Sequence, residues 1–130
     1  MSIFVVDTHA LVWYLSRDSR LSKRAEEFLD MPDATLVIPT VVLAEIKYLF
    51  RKKRVSIAFK NVMHYVEADP RCIIYPFDLP CVEKLDERLN LHDGVIVATA
   101  LIYRDSIDSS TKLITKDKSI IGSHAIDTVW

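Results

Sequence analysis

Four carboxylates, Asp7, Glu45, Asp93 and Asp117, stand far apart in the chain in apolar or strand-terminal settings. An isolated ionised acid in such a setting shifts its pKa or needs a partner. A divalent cation is the simplest partner that would gather all four. Asp7 follows the apolar run Ile3-Phe4-Val5-Val6, Asp117 follows Leu113-Ile114-Thr115-Lys116, and Asp93 opens the apolar helical segment Val95 to Leu101. Each lies where a strand ends or a helix begins, the edge at which parallel α/β sheets bind ligands. Glu45 lies three residues after Val42 and four before Leu49, on one helical stripe with Ile46, so it is predicted to point along a buried face. For any one acid taken alone the alternative is a structural salt bridge, for Glu45 to Lys47 or to an Arg elsewhere. Their joint placement favours a shared site.

Hard oxygen ligands in small number select Mg²⁺ or Mn²⁺. Such an ion polarises a phosphate oxygen, lowers the pKa of a water and shields an anionic substrate from the surrounding acids. The chemistry that fits is phosphoryl transfer or hydrolysis of a phosphodiester.

Placing these residues requires alternating strands and helices. Strands are predicted near residues 3–6, 35–38, 72–76, 111–115 and 126–129, and helices near 9–16, 21–29, 40–53, 55–67, 80–89 and 93–104. Pro39, Pro70 and Pro80 fall at the breaks, where proline is tolerated. The alternation gives an α/β fold with a central, mainly parallel five-stranded sheet flanked by helices. Asp33, Asp69, Asp78 and Asp105 read as solvated loop or capping acids. Glu83, Asp86 and Glu87 with Lys84 and Arg88 read as the exposed charged face of a short helix.

The chain has 130 residues and is 50% hydrophobic, which fits a single domain, residues 1–130, with a well-filled core. No signal peptide and no apolar run of membrane-spanning length is evident, so a cytoplasmic protein with no membrane association is expected. Cys72 and Cys81 are expected to be reduced, and a zinc site from His64, Cys72, Cys81 and His92 lacks a close ligand pair. Only two glycines, Gly94 and Gly122, are present, which excludes the glycine-rich motifs of dinucleotide enzymes, P-loop NTPases and typical α/β-hydrolases.

The net charge of -1 includes the four acids; removing them from the 18 Asp and Glu leaves 14 against 17 Lys and Arg. The remainder is mildly basic. Arg51, Lys52, Lys53 and Arg54 form the only dense basic run, readable as cations favourably placed at a helix C-terminus or as an RNA-binding patch that contacts phosphates.

The segments Val5-Val6-Asp7-Thr8-His9-Ala10-Leu11-Val12-Trp13, Glu45, Asp93-Gly94-Val95-Ile96-Val97-Ala98-Thr99-Ala100 and Leu113-Ile114-Thr115-Lys116-Asp117-Lys118 together resemble the PIN domain family. Within it they are most similar to the toxin ribonucleases of VapBC toxin-antitoxin modules, over essentially the whole chain. The resemblance implies a three-layer PIN-like fold and a Mg²⁺- or Mn²⁺-dependent endoribonuclease with Asp7, Glu45, Asp93 and Asp117 as metal-binding and catalytic acids. It also implies Thr115 and Thr8 as polar support, a homodimer, and a cognate antitoxin that reaches into the active site.

Two positions depart from the family pattern. Asn90 stands where many relatives carry an extra acid, and Gly94 where a larger residue is common. His9 and His92 flank two of the acids and could move protons or touch phosphate; capping or packing is the ordinary alternative. Two rival functions remain at this level. A receiver-like phosphoacceptor domain would need adjacent acids after its first strand, and a noncatalytic PIN-like adaptor binding RNA or protein would not need all four acids.

Overall fold

The computed structural model describes residues 2–130. Its five strands are β1 (Ser2–Val6), β2 (Ala34–Pro39), β3 (Cys72–Tyr75), β4 (Lys112–Ile114) and β5 (Thr128–Val129). Val5, Val6, Val37, Ile38, Leu113 and Ile114 are fully buried. Neighbouring strand residues point to opposite faces, so burial of consecutive positions means that both faces of the sheet are covered. The helices that cover them are α1 (Thr8–Leu15), α2 (Lys23–Leu29), α3 (Thr40–Arg51), α4 (Phe59–Ala68), α5 (Leu79–Glu83), α6 (Leu91–Ser106) and α7 (Lys118–Ser123).

The sheet is entirely parallel, in the order β3-β2-β1-β4-β5. The chain steps outward from β1 through β2 to β3, then returns to the other side of β1 for β4 and β5. The reversal falls between β1 and β4, which pair Val6 with Ile114. The Asp7 N–H extends this pairing by donating to the Ile114 carbonyl at 3.2 Å. A crevice forms beyond the carboxyl ends of strands at such a reversal, and it is there that the chain delivers Asp7 and the Thr115 to Asp117 segment.

The predicted strands are all present, with the last three shorter than expected. The predicted helix over 80–89 ends at Glu83. Beyond it, Asp86 Oδ1 accepts the Arg88 N–H at 3.0 Å and its carboxylate pairs with the Arg88 guanidinium at 2.8 Å. A local bond from side chain to backbone of this kind competes with helix continuation. Asp86 and Arg88 are thus an exposed turn pair and do not form a helical face. The helix predicted from residue 55 begins at Phe59, and α7 was not anticipated. Asp78 caps α5 and Asp69, in a loop, pairs with Arg71 at 2.8 Å, as expected, whereas Asp105 lies in the last turn of α6, which runs past the predicted end at residue 104, and pairs with Lys84 at 3.1 Å. Both cysteines are free. No described helix is long and apolar enough to cross a membrane.

Candidate active site

Asp7 ends β1 and caps α1, its Oδ1 accepting the Ala10 N–H at 2.9 Å. Its Oδ2 accepts a short hydrogen bond from the Thr115 hydroxyl. Only 8% of Asp7 is exposed. Burial raises its pKa against the lowering effect of the Thr115 and Ala10 bonds, and the Asp117 charge adds to the rise. Thr115 also accepts the Asp117 backbone N–H at 3.0 Å, so one buried hydroxyl ties together the ends of two neighbouring strands. Asp117 caps α7 through the Ile120 N–H at 3.0 Å.

Asp93 lies in the first turn of α6. Asn90 caps that helix by accepting the Asp93 N–H at 2.9 Å, and its own amide donates to Asp93 Oδ2 at 3.0 Å. Asn90 therefore aims Asp93, in a reciprocal arrangement like a capping box. Burial pushes the Asp93 carboxyl above its ordinary value, as does the charge of Asp117. Gly94 brings α6 close to the turn after α5, since a Cβ there would lie 3.4 Å from Leu85 Cδ2.

Glu45 differs from the expectation. Val42 and Ile46 on its stripe are fully buried, but Glu45 lies at the edge of that stripe with 31% of its side chain exposed. Its partner is neither Lys47 nor an arginine. His92 Nε2 donates to Glu45 Oε1 at 2.8 Å and lies 3.3 Å from the Thr8 hydroxyl. Burial raises the Glu45 pKa, but the bonds from His92 and Thr8 with the His92 charge outweigh it and leave the carboxyl below its ordinary value. The same bond raises the His92 pKa. Lys47 lies instead over the Phe59 ring at 5.0 Å.

All four acids, with Thr8 and His92, line one cavity of about 80 Å³ at the sheet reversal. The donors are hard oxygens, and the buried acids repel one another without a cation, which suits Mg²⁺ or Mn²⁺. No three His, Cys, Asp or Glu side chains among the described residues stand in ready ligating geometry. Mg²⁺ keeps several waters and takes only one or two carboxylates directly, so holding it does not require three side chains in contact geometry.

The basic run lies outside this cavity. Arg51, Lys53 and Arg54, with Asp18, Arg20, Phe50 and Trp13, line a separate groove of about 690 Å³. Lys52 caps the end of α3 and does not line the groove. Lys53 adopts φ 59° just past the helix, the left-handed conformation common after a helix end. None of these four cations pairs with a described carboxylate; all four lie at the helix terminus, and Arg51, Lys53 and Arg54 also border the open groove.

Sequence reasoning gave too little weight to Asn90 and His92, and it did not single out Trp13, Lys116 or Trp130 beside the acids. Asn90 had a readable signal, an N-cap residue type just before an apolar helix. The partner of His92 depends on the crossing of α3 and α6, and nothing local in the sequence reports it.

Fold and site together define a doubly wound parallel α/β domain with an acidic pocket at its topological reversal. The sequence model of the PIN domain matches residues 4–121, and the chain belongs to the PIN domain family. Its fold is similar to that of VapBC2 from Rickettsia felis, solved bound to a promoter DNA fragment, at 17% identity and TM-score 0.63 over 98% of this chain and 97% of that one. VapBC-1 from nontypeable Haemophilus influenzae is similar at 16% identity and TM-score 0.62, covering 98% and 96%. FitAcB from Neisseria gonorrhoeae is similar at 19% identity and TM-score 0.62, with the same coverage. No curated protein sequence is significantly similar to the chain.

Proposed function

We propose that this protein is a Mg²⁺- or Mn²⁺-dependent endoribonuclease, the toxin of a toxin-antitoxin pair, which hydrolyses RNA phosphodiester bonds in the cytoplasm. The observation that carries this reading is the convergence of Asp7, Glu45, Asp93 and Asp117 on one cavity at the sheet reversal. A divalent ion held there would polarise the scissile phosphate and lower the pKa of the attacking water. The protein's own side chains do the rest. Thr115 fixes Asp7 relative to Asp117, Asn90 aims Asp93, and His92 with Thr8 holds Glu45 at the rim. Arg51, Lys53 and Arg54 supply cations along the separate groove, where a longer RNA strand would meet them, with Lys52 beside them.

RNA as substrate follows from the resemblance to toxin ribonucleases. A cognate antitoxin is supported by the fold's similarity to chains of VapBC and FitAB complexes. A homodimer follows from the resemblance to toxins of this family; exposed apolar side chains on edge strand β3 (Ile73, Ile74) and just after it (Phe77, Leu79, Val82) are surface that a second copy would cover. The family match leaves a receiver-like domain without support. Turnover separates a nuclease from a noncatalytic adaptor. Purified protein should degrade single-stranded RNA with Mg²⁺ or Mn²⁺ and stop when chelator is in excess; undiminished degradation in chelator would exclude the proposed chemistry.

A further inference from the structure

A second cavity, of about 250 Å³, lies against the acid pocket and is lined by Asp7, Asp117, His9, Lys116, Trp13 and Trp130. It shares Asp7, His9 and Asp117 with the acid pocket and Trp13 with the basic groove. It therefore occupies the stretch between them. Trp13 meets Trp130 edge-on, with ring centroids 5.9 Å apart and planes at 68°. Trp13 is only 6% exposed. Its surroundings are already taken by the His9 ring at 5.3 Å, and by the Arg20 guanidinium and Lys116 ammonium, each 4.9 Å from its centroid. Trp130, half-buried, contributes the less enclosed of the two rings. The exposed Lys116 has no carboxylate partner among the described residues, although Asp117 is its chain neighbour, and its ammonium lies over both indoles, 5.9 Å from Trp130.

We propose that this cavity is a nucleobase subsite of the ribonuclease inferred above: the base beside the scissile phosphate stacks on Trp130, and Lys116 contacts the phosphate. The proposal rests on that reading of function. The volume lies just below the ~300–1,000 Å³ of ordinary ligand pockets, a size for one base. The walls set its orientation. Asp7 and Asp117 without a cation repel an anion, so the uncharged base is the part of the strand that enters here, while the phosphate lies at Lys116. Stacking on an aromatic ring accepts any base, so the subsite grips the strand without reading its sequence. A guanidinium from a protein partner is the less favourable occupant, because Lys116, Arg20 and His9 already surround Trp13.

The chain has two tryptophans, and both line this cavity, so intrinsic fluorescence reports directly on it. The test uses the Asp93→Asn protein in chelator, titrated with random-sequence single-stranded RNA and with an abasic ribose-phosphate strand. RNA should quench the fluorescence saturably. Adding Trp130→Ala should weaken RNA binding roughly five- to a hundredfold, Trp130→Phe should recover most of it, and the abasic strand should bind all three proteins alike. Lys116→Ala should lower the salt slope by about 0.7, whereas Trp130→Ala should leave the slope unchanged.

Unaltered RNA affinity in Trp130→Ala, or an equal loss on the abasic strand, would overturn the subsite, as would quenching by an arginine-rich peptide but not by RNA. These readouts need neither metal nor turnover. A parent that cleaves RNA while Trp130→Ala binds normally removes the subsite alone; a parent that never cleaves RNA removes the nuclease reading, and the quenching still decides whether a base is held.

Discussion

Glu45→Gln and Asp93→Asn each remove one charge from the same pocket, yet in metal-free protein they should move stability in opposite directions. Glu45 is bonded to His92 at 2.8 Å, with side chains 31% and 28% exposed. Exposed pairs contribute ~0–1 kcal/mol, and stranding one member of a fully buried pair costs ~3–5 kcal/mol. A pair at this depth should be worth about 1 kcal/mol, or about 3–5 °C in Tm for a domain of this size. The His92 pKa is raised, so its contribution is complete below the ordinary value of 6.5 and is lost as pH rises through the higher folded value. The Glu45 pKa is lowered, so its contribution is complete above 4.5 and is lost as pH falls through the lower folded value. The loss in Glu45→Gln should therefore be largest between those two ordinary values and fade on either side.

Asp93 has the opposite sign. Burial and the Asp117 charge raise its pKa, so the stability linked to its protonated form is complete below 3.8 and is lost as pH rises through the folded value. Asn at this position keeps an acceptor for Asn90 and removes the repelled charge. Metal-free Asp93→Asn should thus be at least as stable as the parent at neutral pH, with the difference vanishing in acid. Metal at a hundred times its Kd should stabilise the parent by about 2.7 kcal/mol, and both variants should lose most of that gain. Thermal melts at several pH values, with and without Mn²⁺, read all of these effects. Clear destabilisation of both variants with an undiminished metal response would refute the shared pocket and return the acids to structural roles.

Three further outcomes are expected. Asp7→Ala should lose the α1 cap and destabilise the protein by about 1 kcal/mol in thermal melts, whereas Asp7→Asn should retain most of the cap; equal stability of the two would show that capping is not what Asp7 supplies to the fold. Replacing Lys53 and Arg54 with Ala should weaken RNA binding and reduce its salt slope by about 1.4, and Lys52→Ala should change neither, as filter binding across a salt series would show. RNA products should carry no 2′,3′-cyclic phosphate, because water and not the 2′-hydroxyl is the proposed nucleophile; cyclic ends found by mass spectrometry would contradict hydrolysis.

The strands and the positions of three acids were legible because their signals are local. Apolar runs ending in Asp7 and Asp117, and an apolar helix opening at Asp93, mark the strand ends and helix start from which those side chains reach the crevice. Asp117 carried a second signal that passed unread: it caps a helix of six residues, too short to show clear periodicity. The 80–89 segment misled because its charge spacing suits a helix, whereas Asp86 turns back onto Arg88. The Glu45 stripe was read correctly in period but not in depth, since the position of a stripe's edge depends on how α3 meets α6. The Trp13–Trp130 contact joins opposite ends of the chain, and its visibility depends entirely on the fold.

Mn²⁺ binding followed by electron paramagnetic resonance, on the parent and on Asp7→Asn, Glu45→Gln, Asp93→Asn and Asp117→Asn, tests most directly whether four acids make one metal-dependent site. The parent should take up Mn²⁺ and each single change should weaken that uptake, with RNA cleavage falling in step. Uptake unaffected by all four substitutions, or RNA cleavage by a parent that takes up no metal, would contradict the account.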